Sequence, residues 1–249
     1  MKTVIIGSGN VAYHLAKAFV QNGIEIHQIF GRNQKELGKI SQELHVPFST
    51  TDLQDSDLYI ISVSDDSVEE VSGAVTKENV LVAHTSGSLP KEIMKGNYRK
   101  SIIYPLQTFS KTKDLDYSKI PFFIEAENKN DENLLKNMVS KISKNVEISD
   151  YEKRKYIHLT AIFSCNFVNH LFAIAKEISD SQNIPFKYFL PLIDETVEKI
   201  HYLYPKSGQT GPAVRNDERI LKLHEKLITN EEYLKIYNLM NESIRKMHE

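Results

Sequence analysis

The first twelve residues constrain this chain more than any other stretch. A β-branched run, Val4-Ile5-Ile6, opens directly into Gly7-Ser8-Gly9-Asn10-Val11-Ala12, and a helical pattern follows at once. Strand, G-x-G-x-x-A turn and helix in that order form the dinucleotide-binding signature, in which each position has a physical task. Gly7 permits the tight turn, Gly9 leaves the backbone open to a pyrophosphate, and Ala12 is small enough for helix and strand to pack closely. Free N–H groups at the helix start, around Ser8, Asn10 and Val11, then favour a phosphate together with the helix dipole. Glycine is scarce otherwise: the chain has ten in 249 residues, four of them at positions 7, 9, 23 and 31.

The downstream pattern predicts an α/β fold, with a Rossmann-type, mainly parallel sheet domain over residues 1–150. Apolar runs at 2–6, 24–30, 48–50, 57–63, 80–83, 102–103, 122–125 and 146–148 read as strands. Helical patterns lie between them at 11–21, 34–44, 67–75 and 133–143. Near-continuous apolar strands fit a sheet covered on both faces. From Tyr151 only helical patterns remain, over 151–181, 186–203, 217–228 and 231–248, so residues 151–249 are expected to form an all-α C-terminal domain. The first of these helices is apolar around most of its circumference and is expected to be packed on all sides. A small helical domain can hardly enclose it, which points to a homodimer built on this domain.

Composition excludes several classes. With 31 Lys+Arg against 33 Asp+Glu the net charge is -2, which provides no basic field for nucleic acid or an anionic membrane. Cys165 alone cannot form an internal disulfide, so the chain suits a reducing compartment. The N-terminal apolar run stops at Gly7, too short for a signal peptide. The most apolar helix carries His158, Thr160, Ser164, Asn166, Asn169 and His170, which would be costly in hydrocarbon. A cytoplasmic protein with no nucleic-acid or membrane partner is expected. His224-Glu225 lacks the second His of a zinc helix, so no metal is expected either.

The end of the second strand discriminates between cofactors. An NAD site offers an acid about 20 residues past the glycines for the ribose hydroxyls. Here the strand ends in Phe30-Gly31-Arg32-Asn33-Gln34-Lys35, without an acid. Arg32 can stack on adenine and pair with a 2′-phosphate, Asn33 can donate to it, and Lys35 adds charge. NADP(H) is therefore favoured over NAD(H). Ligands in such sheets sit beyond the carboxyl ends of the strands, which places Ser64, Thr85 and Ser86 at the same pocket. Asp66-x-x-Glu69 matches a helix-capping box, and turn chemistry alone also explains Ser86 and Gly87.

Taken together, GSGNVA, VSDDSV, HTSGS, YPLQTF, HLTAIFSCNFVNHL and TGPAVRND resemble the short branch of the 6-phosphogluconate-dehydrogenase-like superfamily, NADP oxidoreductases with a Rossmann-like domain. The resemblance runs over essentially the whole chain. It implies a nicotinamide oxidoreductase whose helical C-terminal domain builds a dimer, as in pyrroline-carboxylate reductase and the β-hydroxyacid dehydrogenases, and it implies no particular substrate. The chain departs from the pattern in two places. No Lys lies between His158 and Asn166 in the first long helix of the second domain, and Tyr104 replaces the His that often precedes Pro-Leu-Gln-Thr-Phe in this branch. The second departure argues against an acid at that position.

Reduction of a carbonyl or imine needs a hydride donor and a proton source, and a positioned acid contributes about 10²–10⁴ in rate. His158 is the expected proton donor, because its ordinary pKa lies near neutrality. Asn166, two turns on, can hydrogen-bond the substrate. Thr210 and Arg215, in the Thr210–Asp217 loop, and Gln107 are the substrate-binding candidates, with Arg215 suited to a carboxylate or phosphate. Core hydrogen bonding and helix capping explain the same residues equally well. The leading expectation is an NADP(H)-dependent oxidoreductase acting on a small, anionic carbonyl or imine compound in a cleft between the domains. A catalytically silent NADP(H)-binding sensor is the alternative, and a deazaflavin-using reductase is a third option.

Overall fold

The computed structural model describes every residue, Met1–Glu249. Its sheet is built from β1 (Thr3–Ile6), β2 (Ile26–Phe30), β3 (Phe48–Ser49), β4 (Leu58–Ile61), β5 (Leu81–His84), β6 (Arg99–Pro105), β7 (Phe122–Ala126) and β8 (Val146–Ile148). Helices α1 (Asn10–Gln21), α2 (Gln34–Leu44), α3 (Asp65–Ser72) and α4 (Lys129–Val139) connect them. The spatial order is β3-β2-β1-β4-β5-β6-β7-β8. Every pairing is parallel except β6 with β7. This is the Rossmann-type α/β fold expected, extended at one end by an antiparallel pair.

Strand periodicity sorts the core into two layers. Ile5, Ile29, Ile60, Ile103 and Ile124 face Leu15 and Phe19 of α1, Leu37 and Ile40 of α2, and Leu135 of α4. Their neighbours Val4, Ile6, Tyr59, Ile61 and Val82 face the opposite side, with Val68 of α3 and Met94. Both faces are buried, and each such side chain contributes about 1.5–3 kcal/mol relative to exposure.

Two elements of the sheet unit differ from the sequence reading in ways their contacts explain. The fourth helix runs over Lys129–Val139 rather than 133–143, because Asn128 caps it by accepting the Asp131 backbone N–H at 3.0 Å. Strand β6 extends over seven residues rather than two. Its polar start, Arg99-Lys100-Ser101, pairs along β5. Ser101 donates to the Val82 carbonyl at 3.0 Å, while Arg99 meets Asp131 of α4 at 2.5 Å.

The chain divides into two compact units, Met1–Asn166 and Phe167–Glu249. The first therefore takes in α5 (Tyr151–Ala161) and the π-helical turn Ile162–Asn166 that follows it. The second contains α6 (Phe167–Ser181), α7 (Leu190–Lys199), α8 (Pro205–Gly208), α9 (Glu218–Leu227) and α10 (Glu231–His248). Within it, His224 of α9 bonds Tyr237 of α10 at 3.0 Å, and Arg245 pairs with Glu218 at 2.6 Å. The continuous stretch Tyr151–Ser181 is long and apolar enough to cross a membrane, with mean hydropathy 1.4 over its most apolar window, and none of that window is buried. Within one copy of the chain this helix is not packed on all sides: Tyr156 and Phe163 are each 64% exposed.

Candidate active site

Strand order reverses between β1 and β4, whose carboxyl ends lie side by side with Ile6 opposite Ile61. A cavity of about 570 Å³ opens there. Its lining includes Gly7, Ser8, Gly9, Asn10, Val11, Gly31, Arg32, Asn33, Ser64 and Thr85. Gly7 has φ +139, and a Cβ at this position would lie 2.1 Å from the Ser62 carbonyl oxygen. Only glycine fits both the backbone and the space. Helix α1 starts at Gly9 with no side-chain cap and no acid in its first turn, so its first N–H groups and positive dipole end stay available to an anion. A Cβ at Gly9 would meet nothing within 4 Å; the space above that turn is open for a pyrophosphate. These features fit a dinucleotide.

The side chains around the cavity have separate tasks. Arg32 is exposed at the rim. Asn33 caps α2 by accepting the Glu36 N–H at 3.1 Å, which leaves its amide N–H groups free to donate. Asn10 turns its side-chain amide to the Phe109 carbonyl at 2.9 Å. Ser64 meets Ser67 at 3.0 Å at the start of α3. It is this serine, rather than Asp66, that stands at the cap position. Lys35 is exposed on the first turn of α2, beside the lining rather than in it. Ser86 also stays out of the lining. Its hydroxyl accepts the N–H groups of Ser88 at 3.0 Å and Leu89 at 3.2 Å, and so shapes the turn after β5.

That turn carries a second cluster. Tyr104, near the end of β6, bonds Nδ1 of His158 on α5 at 3.0 Å, with the rings edge to face. Burial pushes the Tyr104 phenol up to about 12, so it keeps its proton across the neutral range. Gly87 packs against both: a Cβ there would lie 2.7 Å from Tyr104 Cζ and 2.8 Å from His158 Nδ1. Beneath them His84 is fully buried. Its Nδ1 accepts the Ser86 N–H at 3.2 Å and its Nε2 faces the Pro90 carbonyl at 3.3 Å, an arrangement that puts the proton on Nε2. Desolvation holds His84 down at about 4, which makes it a neutral strut of the turn. Arg154, one turn before His158, is 0% exposed. It pairs with Glu125 of β7 and donates to the Leu89 carbonyl at 2.7 Å. Lys91 completes the cluster at 2.6 Å from Glu125. Together these contacts fix the face of α5 that presents His158.

Residues 120–244 match the family model described as a domain of unknown function (DUF2520), and residues 2–87 match that of coenzyme F420-dependent NADP oxidoreductases. A crystal structure of a Bacteroides fragilis protein assigned as an NADP oxidoreductase is 39% identical, with TM-score 0.92 and 98% of each chain covered. The chain belongs to this NADP oxidoreductase family. A Thermotoga maritima protein shares the fold at 20% identity and TM-score 0.73, covering 99% of this chain and 98% of its own. The reductive aminase of Aspergillus terreus, solved with NADPH and ethyl-5-oxohexanoate, does so at 13% and 0.70, covering 98% and 94%. Comparison with curated proteins finds no match.

The cofactor of the oxidoreductase is NADP(H), and the remaining predicted residues fall in both units. Gln107 is exposed, and its Oε1 accepts the N–H of the adjacent Thr108 at 2.7 Å. Asn166 closes the π-helical turn and is exposed. On a regular helix eight residues rotate about 80° past two turns; the wider π turn reduces that offset and brings Asn166 toward the His158 face. Thr210 and Arg215 are exposed on the loop before α9 in the second unit, where Asp217 caps the helix at 3.3 Å from the Ile220 N–H. Sequence reasoning set Tyr104 aside and overlooked Arg154. For Arg154 the only local signal was its spacing, one turn before His158.

Proposed function

We propose that this oxidoreductase reduces a small carbonyl or imine compound with NADPH, His158 delivering the proton. The observation that carries the reading is the Tyr104–His158 bond at 3.0 Å, locked by the Gly87 backbone. Bound NADPH supplies the hydride. With Nδ1 held by Tyr104, only Nε2 of His158 remains to meet a substrate, and it hands its proton to the oxygen or nitrogen that becomes electron-rich. Tyr104 is the positioning residue that fixes the ring. Asn166 is assigned to the substrate's polar atom, and Gln107, Thr210 and Arg215 are each candidates for its anionic group. Arg32 and Asn33, with Lys35 beside them, are assigned to the 2′-phosphate, and Ser64 and Thr85 to the ribose and nicotinamide side, while Ser86 shapes the turn next to Thr85. The reductive-aminase neighbour supports an imine or keto ester as the first substrates to try. The wider group we place it in is the 6-phosphogluconate-dehydrogenase-like superfamily.

We further propose a cytoplasmic location, in keeping with the single free Cys165, and a homodimer, because a second copy would cover exposed Tyr156 and Leu159 of α5. Light scattering on the purified protein should return twice 28.6 kDa; a monomer at micromolar concentration refutes the assignment. The catalytic test is NADPH oxidation against a panel of keto acids, keto esters and cyclic imines. On the substrate found, His158→Ala should lower turnover about 10²–10⁴-fold with NADPH affinity held. Tyr104→Phe should lower it less and change the pH profile. Unchanged turnover in His158→Ala removes the residue from the chemistry.

A further inference from the structure

Lys111 has no role in the reading so far, yet it is tied directly to the dinucleotide turn. Its ammonium donates to the Ser8 carbonyl at 2.8 Å and to Glu36 Oε2 at 2.6 Å. Ser8 lines the cavity, and Glu36 stands on the first turn of α2, with its N–H on the side chain of Asn33, which also lines the cavity. Glu36 is held from its other oxygen by Lys39 at 2.6 Å. The paired lysines keep its carboxyl well down, at about 2, so a full negative charge occupies the region just after β2. That is the region where a Rossmann-type site distinguishes a ribose hydroxyl from a 2′-phosphate.

Lys111 is not needed to fasten its own segment. Asn10 holds the Phe109 carbonyl at 2.9 Å, His14 Nε2 holds the Ser110 carbonyl at 2.9 Å, and Lys17 holds Asp114 at 2.8 Å. Both partners of the Lys111–Glu36 pair stay about a quarter exposed, at 26% and 27%, so an incoming anion can reach them. A lysine is a compact charge on a flexible four-carbon stem and can change partners without moving its backbone.

We propose that Lys111 is a cofactor-specificity residue, a further cation for the 2′-phosphate of NADP(H), which it takes in exchange for Glu36 while the Ser8 carbonyl keeps it in place. The proposal rests on the assignment of the Arg32-Asn33 turn as the 2′-phosphate seat. Glu36 then acts as the competing internal anion, so the two residues must affect affinity in opposite directions.

The test measures Kd for NADPH and NADH by fluorescence titration on the full chain. A charge-assisted bond, discounted for solvent exposure, corresponds to about ten-fold in affinity. Lys111→Met should raise the NADPH Kd by about that factor and leave NADH within about two-fold. Glu36→Gln should tighten NADPH by about two- to three-fold. Lys111→Met leaving both affinities unchanged overturns the proposal, as does equal weakening of both. Glu36→Gln weakening NADPH also overturns it, since a purely structural ion pair would behave that way. Arg32→Ala separates this from the underlying assignment. If Arg32→Ala abolishes the preference for NADPH and Lys111→Met does not, Lys111 alone is wrong. If Arg32→Ala also leaves the preference intact, the 2′-phosphate seat itself is misplaced.

Discussion

Gly87→Ala probes the proposed chemistry without replacing an ionisable group. The glycine's φ lies outside the left-handed range, so alanine suits the backbone and the effect is steric. The new Cβ would lie 2.7 Å from Tyr104 Cζ and 2.8 Å from His158 Nδ1, against 3.4 Å or more in ordinary contact. The two rings must therefore retreat by about 0.6–0.7 Å, and neither is free to do so. Tyr104 packs beside Phe123 with centroids 6.2 Å apart, and α5 is anchored through Arg154 to Glu125 and Leu89. Overpacking of this kind costs about 1–3 kcal/mol, which for a chain of this size lowers Tm by roughly 2–12 °C. A displacement approaching 1 Å at a reacting group costs up to about 10²-fold in rate. Turnover of the identified substrate should fall about ten- to a hundred-fold. Gly87 is not part of the cavity lining, so the NADPH Kd should stay within about two-fold. Thermal melting, NADPH titration and steady-state rates on one preparation check all three expectations. Full turnover in Gly87→Ala, with Tm lowered as expected, would refute the requirement for a tight Tyr104–His158 contact. A parallel loss of NADPH affinity would relocate the effect to the cofactor.

Arg154→Met should destabilise the chain by about 3 kcal/mol, the low end for breaking a buried pair, because Lys91 still faces Glu125. Adding Glu125→Gln should recover much of that loss in urea titrations, whereas fully additive losses would show that the pair does not act as a unit. His84 is kept neutral by burial, its folded pKa of about 4 lying below its ordinary value of 6.5. The unfolded chain thus binds more protons between these values, and stability present above pH 6.5 is lost as pH falls toward 4, by up to about 3 kcal/mol. His84→Gln should flatten that part of the pH–stability curve; an unaltered slope assigns it to other groups.

Local patterns carried most of the fold because apolar periodicity and turn chemistry act over a few residues. The Val4-Ile5-Ile6-Gly7 junction and helix α2 over Gln34–Leu44 are legible in that way. Most of the candidate cavity's lining was legible too, because it comes from three strand-to-helix turns, each readable alone, with Thr85 added from the end of β5. The Tyr104–His158 contact was not: it joins residues 54 apart, and nothing in either neighbourhood marks the other. The same holds for Lys111, which reaches Ser8 across 103 residues.

By itself, then, the sequence determined the element types, the dinucleotide turn and the absence of an acid after the second strand. These follow from the steric limits of glycine, side-chain period and local charge. Only the tertiary structure decided that β6 runs parallel to β5 and antiparallel to β7, that Tyr104 at its end meets His158, and that Arg154 lies buried against Glu125. It also decided that the most apolar window of the Tyr151–Ser181 stretch stays unburied within one copy. Each of these depends on which distant surfaces meet, and burial and pairing across a sheet are settled only when the whole unit closes.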